Sequence, residues 1–197
     1  EENLLEKVIP FFSEGYDMIA FEFYALYSNG KINPMDYHEE GIYEISSKEK
    51  KFDFLTNIIL KGKIGWEACT RICRKDIIEK NNLRFENNKK IFAEDLYFSL
   101  CYCLHANKII SLKKLFYYYR QREDSIMGKD SIKLNVGRMN ELGKAVLSHY
   151  SKHEKGKEII TVFPVIYYMI LDTVVEKYNN QSTQEIEVIS HHEDRDQ

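Results

Sequence analysis

No concentrated run of positive charge occurs in this sequence: 28 Lys and Arg stand against 31 Asp and Glu, giving a net charge of −3. That balance argues against a dedicated nucleic-acid binder, which shows a clustered basic excess. Cysteine is sparse, and Cys69, Cys73, Cys101 and Cys103 are spaced C-x3-C and C-x-C. Neither spacing fits a common zinc pattern, so these thiols read as reduced, packed small hydrophobes suited to a cytosolic compartment. Long apolar runs are missing too. The most apolar stretch, residues 159–175, is broken by Thr161, Pro164, Asp172 and Thr173, and a membrane-spanning helix needs about 20 mostly apolar residues. A helix there either packs on the domain or lies on a membrane surface or a partner subunit. No secretory signal is evident, which points to the cytoplasm or the inner face of the membrane. Internal repeats and low-complexity linkers are absent, and the first residue, Glu1, is read as the start of a fragment.

With 44% apolar residues the chain is an ordinary globular one. Helical spacing of Leu4, Leu5 and Val8 predicts a helix over residues 3–12, strained at its end by Pro10. A dense β-branched and aromatic run over 16–27, closed by Ser28-Asn29-Gly30, predicts a buried strand and a turn. Ser46 and Ser47 are candidate caps for a helix over 47–60. Residues 65–73 read as a short strand, 75–81 as a helix, 93–106 as a helix striped by Leu96, Leu100 and Leu104, and 108–121 as a strand. Helices over 131–150 and 157–178 precede a polar tail. Strand and helix alternate first and helices follow, so the expected class is α/β with a helical appendage. The strands are few for an independent parallel sheet.

Three pieces carry the chemistry. Glu94 and Asp95 open a predicted helix, where free N–H groups and the helix dipole keep a carboxylate ionised by about 0.3–1 kcal/mol. An ionised carboxylate can act as a general base, although acidic residues also occur in first turns simply as stabilisers. Extended backbone over 116–122 would put Tyr118, Arg120 and Arg122 on one face, with Ser125 in the loop beyond. Paired guanidinium groups are suited to a diphosphate, or else to Glu123 and Asp124 nearby. The single tryptophan, Trp66, follows a glycine and precedes the basic stretch from Arg71 to Lys75. An indole there stacks on a sugar or fills the core.

In this order, Trp66 to Arg74 and on to Asn82-Leu83-Arg84-Phe85, then Glu94-Asp95-Leu96-Tyr97-Phe98, then Tyr117-Tyr118-Tyr119-Arg120-Gln121-Arg122 with Ser125-Ile126, the pieces resemble the C-terminal half of bacterial family-2 glycosyltransferases with a GT-A fold. The resemblance is specific over residues 64–127 and weaker back to residue 1. It implies a partial GT-A-like mixed sheet flanked by helices: a catalytic half over 1–128, a helical extension over 129–180 and a disordered tail over 181–197. It also implies an inverting transfer of a sugar from a nucleotide-sugar donor to a glycan or lipid-linked acceptor, in synthesis of cell-envelope polysaccharide. Asp95 would be the catalytic base supported by Glu94. Arg120, Arg122 and Ser125 would face the donor diphosphate, and Trp66 and Arg71 would line the acceptor site.

One departure from the pattern is plain. The family holds a divalent metal, Mg or Mn, on an Asp-x-Asp at a strand end. Here the only such motif is Asp194-Arg195-Asp196, in the charged tail. The donor-binding half is therefore read as missing, and the fragment is expected neither to bind that metal nor to transfer sugar alone. A different reading is a helical interaction or homo-oligomerisation module without catalysis, built on the apolar positions after Ser131. Single-stranded nucleic-acid binding through residues 117–122 is set against the acidic balance. Of the six histidines, His38, His105, His149, His153, His191 and His192, only His149 and His153 could share a helix face. These read as solvated polar positions rather than ligands.

Overall fold

The computed structural model describes residues 1–36, 38–121 and 132–160, with 164, 167, 168, 171 and 172 beyond them, and the side chains of helix residues 132–136 are left aside. The chain runs α1 (Leu4–Ser13), β1 (Met18–Leu26), β2 (Ile32–Met35), β3 (Gly41–Glu44), α2 (Lys48–Asp53), a π-helical segment (Phe54–Ile59), a 3₁₀ turn (Ala68–Thr70), β4 (Arg71–Cys73), α3 (Lys75–Lys80), α4 (Glu94–His105), β5 (Lys108–Arg120), α5 (Ile132–Ser151) and α6 (Glu154–Ile160).

β1 is the axis of the sheet. It pairs in parallel with β5 along one edge, while its other edge is shared by antiparallel β4 at the start and antiparallel β2 at the end. β3 closes the far side of β5, so the sheet is five-stranded and mixed. Being central, β1 buries both its faces, which is why it reads as a near-continuous apolar run rather than an alternating one. The expected strand and its Gly30 turn, with φ +80°, both form. β2 and β3 escape sequence reading because each has four residues, and β2 contains Pro34.

The mixed α/β class expected from sequence holds. One face of the sheet is covered by α1, through Val8, Tyr16, Ile19, Phe21, Ile110 and Phe116. The other packs on α4, whose Leu96, Leu100 and Leu104 form the predicted stripe. Phe98, Cys101, Tyr102 and Cys103 are buried as well, so α4 is enclosed on nearly all sides. Each large apolar side chain so buried contributes about 1.5–3 kcal/mol. All four cysteines are free thiols. Leu142, Val146 and Tyr150 of α5 join this same core, and the Tyr150 hydroxyl donates to the Leu100 carbonyl at 3.0 Å.

One helix departs from expectation. Ser47 caps α2 by accepting from the Lys50 N–H, as its position predicts, but the helix widens to π geometry at Phe54. Thr56 explains part of this, since its hydroxyl donates to the Phe52 carbonyl at 2.9 Å and competes with the backbone ladder. The wider turn lets Phe54, Leu55, Thr56 and Ile59 all point inward.

Candidate functional site

The start of α4 is built against the segment before β4. Ser99 donates to the Trp66 carbonyl at 2.9 Å and accepts from Arg71 at 2.7 Å. The other end of the same guanidinium donates to the Gly65 carbonyl. Arg71 is thus buried, tying residues 65–71 to α4. The peptide after Glu67 then meets α4 directly, with the Ala68 N–H donating to the Asp95 carboxylate at 3.3 Å. Ala93, immediately before α4, is left-handed at φ 53°, ψ 70°. A residue with a Cβ adopts that region only at a cost of roughly 1–2 kcal/mol, and here the turn aims Glu94 and Asp95 outward together.

These two carboxylates line an open cleft of about 430 Å³, with Phe85, Glu86, Asn87 and Asn88 as the other wall. Phe85 is half exposed and stacks on Phe98, with centroids 4.5 Å apart. An α5 arginine, Arg138, donates to the Asn88 carbonyl and steadies that wall. Partial desolvation raises the pKa of Asp95, and Glu94 and Glu67 add to the rise, while the Ala68 N–H and Arg71 oppose it. The result is a stronger base held in one orientation, beside an aromatic face and two amides.

Against Gly65 lies a buried pair. Glu22 accepts from the His38 backbone N–H at 2.7 Å, and its carboxylate sits 3.2 Å from the His38 ring. Burial pushes Glu22 up to about 7, with Asp36 and Glu67 adding and the His38 N–H and Lys113 opposing. Burial likewise holds the His38 imidazole below its ordinary value. Gly65 is squeezed between this pair and Glu67: a Cβ there would lie 2.0 Å from Glu67 and 2.5 Å from His38. Register slips between Phe21 and Phe23 put Glu22 at an irregularity of the β1–β5 ladder.

The residues expected from sequence are therefore placed unevenly. Asp95 and Glu94 share the cleft. Trp66 is partly buried against the main core, and Arg71 lies beneath the site rather than in it. Arg120 is exposed at the end of β5, and alternation sets it opposite to Tyr119, the β5 side chain whose hydroxyl is raised by burial and, more weakly, by the Cys69, Tyr117, Asp95 and Glu67 charges. Arg122 and Ser125 lie outside the described residues. Sequence reading missed Phe85, Asn87 and Asn88, although an exposed aromatic beside two amides was written in the chain. It also missed Glu22, where the signal was a lone carboxylate inside an apolar strand.

The Mg or Mn expected in the intact enzyme, and not on this chain, finds no oxygen-ligand cluster among the described residues. Hard divalent cations of that kind take oxygen ligands, whereas the ligating group found among the described residues is all nitrogen: His105, His149 and His153.

No family model matches the sequence, and no curated protein matches it. Among solved structures, residues 1–349 of S. aureus TarS, a glycosyltransferase, align with a TM-score of 0.51 at 17% identity. That alignment covers 88% of this chain and 43% of TarS 1–349. The same protein in complex with UDP aligns with a TM-score of 0.49 at 20% identity, over 81% of this chain and 41% of the other. The chain spans about two-fifths of the length of these structures, and the first likeness is one of fold, consistent with part of a GT-A-like domain.

Proposed function

We propose that this chain is the acceptor-side part of an inverting, family-2-like glycosyltransferase of bacterial cell-envelope polysaccharide synthesis. The observation that carries the reading is Asp95: a carboxylate on the first turn of α4, partly desolvated and held by the Ala68 N–H, facing an open cleft. Phe85 offers an apolar face for a sugar ring, and Asn87 and Asn88 offer paired donors and acceptors for its hydroxyls. An acceptor hydroxyl donating to Asp95 loses its proton to the carboxylate as its oxygen attacks the anomeric carbon of the donor. The bond from that carbon to the diphosphate oxygen breaks on the opposite face, the electron pair leaves with the diphosphate, and the configuration inverts. Glu94 and Glu67 keep Asp95 basic. Arg122 and Ser125, outside the described residues, belong to the leaving diphosphate on this reading, where cations stabilise the developing charge, whereas Arg120 lies on the opposite face of β5 and is left without that role.

The donor metal and nucleotide would be held outside the described residues, and an assay of this chain alone with a sugar nucleotide and a divalent metal is expected to show no turnover. In the intact enzyme Asp95→Asn lowers kcat by roughly 10²–10⁴, the usual scale for a positioned base, with donor KM unchanged. Steady-state kinetics with varied donor and acceptor test this. Activity within a few-fold of wild type would reduce Asp95 to a helix-start residue.

A further inference from the structure

His105 and the sequence-distant pair His149 and His153 converge at the end of α4 opposite to Asp95. His105 is the last residue of α4, His149 lies in the final turn of α5, and His153 sits in the turn between α5 and α6. The Nε2 atoms of His105 and His149 are 3.1 Å apart. The His153 ring lies 4.6 Å from that of His105 and 4.5 Å from that of His149, centroid to centroid. One ring nitrogen from each falls within 4.8 Å of the others. We infer that this triad is a binding site for one divalent transition metal of the zinc class, clamping the end of α4 to the α5–α6 turn.

The geometry needs little adjustment. Zinc holds imidazole nitrogens at about 2.0–2.1 Å in a tetrahedron, which spaces them about 3.4 Å apart. The closest pair here is within a few tenths of an ångström of that edge, and rotation about the side-chain torsions of His153 brings in the third. All three residues are half-buried, enough to hold the rings while leaving a fourth position for a water or an outside ligand. Their backbones are held independently. The His153 N–H donates to the Tyr150 carbonyl at 3.2 Å, the Lys157 N–H donates to the His153 carbonyl at 2.9 Å, and a Cβ at Gly156 would lie 2.1 Å from the Tyr150 carbonyl oxygen. The turn that presents His153 thus closes only around glycine.

The chemistry agrees: a neutral imidazole offers one ring nitrogen as a ligand, and a metal would take the place of the His105–His149 Nε2 contact. The two lysines nearest His105 are already engaged: Lys51 donates to the Cys103 and Ala106 carbonyls, and Lys155, exposed to solvent, donates to Asn107. An all-nitrogen, partly enclosed set suits Zn²⁺, Ni²⁺ or Cu²⁺ rather than Mg²⁺ or Ca²⁺. The site stands apart from the proposed catalytic cleft, by about the 15–18 Å length of a 12-residue helix, and its failure would leave that proposal untouched.

The test is titration of the metal-free full chain with Co²⁺ and then Zn²⁺, followed by visible absorption and calorimetry. The expected result is one equivalent bound, with the intense visible bands of tetrahedral Co²⁺, displaced by Zn²⁺, and a higher Tm with Zn²⁺. His153→Ala, in the exposed turn, and separately His149→Gln should each weaken binding by roughly tenfold or more, with unchanged far-UV circular dichroism. The double variant His191→Ala with His192→Ala should bind as wild type. Absence of stoichiometric binding, or a loss that follows the tail histidines instead of His149 and His153, would overturn the site.

Discussion

Glu22 sits at the middle of the central strand, fully buried, with its partner His38 equally enclosed. A carboxylate raised from 4.5 to about 7 on folding binds its proton more tightly in the native state. Its contribution to stability is therefore present below about pH 4.5 and is lost as pH rises through about 7. Glutamine keeps the shape and can still accept from the His38 N–H, but cannot titrate. The stability of wild type minus that of Glu22→Gln should fall by on the order of 3 kcal/mol between those two pH values and level off outside them. Urea unfolding of both proteins across this range measures it. A flat difference would mean that Glu22 keeps an ordinary carboxylate pKa in the fold.

At the scale of the element, α4 is held at both ends by groups from elsewhere in the chain. Its start is tied through Asp95, Ser99 and Arg71 to residues 65–68. At its end the buried Lys51 ammonium donates to the Cys103 and Ala106 carbonyls, acting as a cation at the negative end of the helix dipole. Lys51→Met removes the donor while keeping most of the volume, and two carbonyls lose a partner. The expected cost is about 1–3 kcal/mol, read as a lower Tm in thermal unfolding. An equal or higher Tm would show that burying the ammonium costs more than its bonds return. The leucine stripe and the Ser47 cap made α4 and α2 legible in the sequence, because both depend on neighbours one turn away. The π-helical segment was not, because it answers to a core that demands three inward side chains in succession and a fourth at Ile59.

At the scale of the whole molecule, the helices after β5 share one of the two cores with the sheet. Leu142, Val146, Tyr150 and Ile159 of α5 and α6 belong to the same cluster as Met18 of β1 and Ile109 of β5. Sheet and helices should therefore unfold together. Fluorescence of Trp66, which packs on that cluster, and far-UV circular dichroism are expected to give coincident urea transitions. Two separated midpoints would indicate that the helices after β5 unfold as a unit of their own. No helix among the described residues is long and apolar enough to cross a membrane; the broken run over 159–175 lies largely outside the described residues.

What the sequence by itself determined was what rests on neighbours within a turn or a pleat: the α/β class, most helix and strand positions, the buried character of β1, and the Glu94-Asp95 pair at a helix start. Only the tertiary structure decided which distant groups meet. Arg71 and Trp66 resemble site residues on paper, yet packing draws one beneath the cleft and the other onto the core. Phe85 and Asn87 join Asp95 across the cleft, and His105 finds His149 only because α5 packs along α4. The physical reason is the same in each case: local periodicity selects an element, but the long-range burial of apolar surface selects its neighbours, and chemistry belongs to the neighbours.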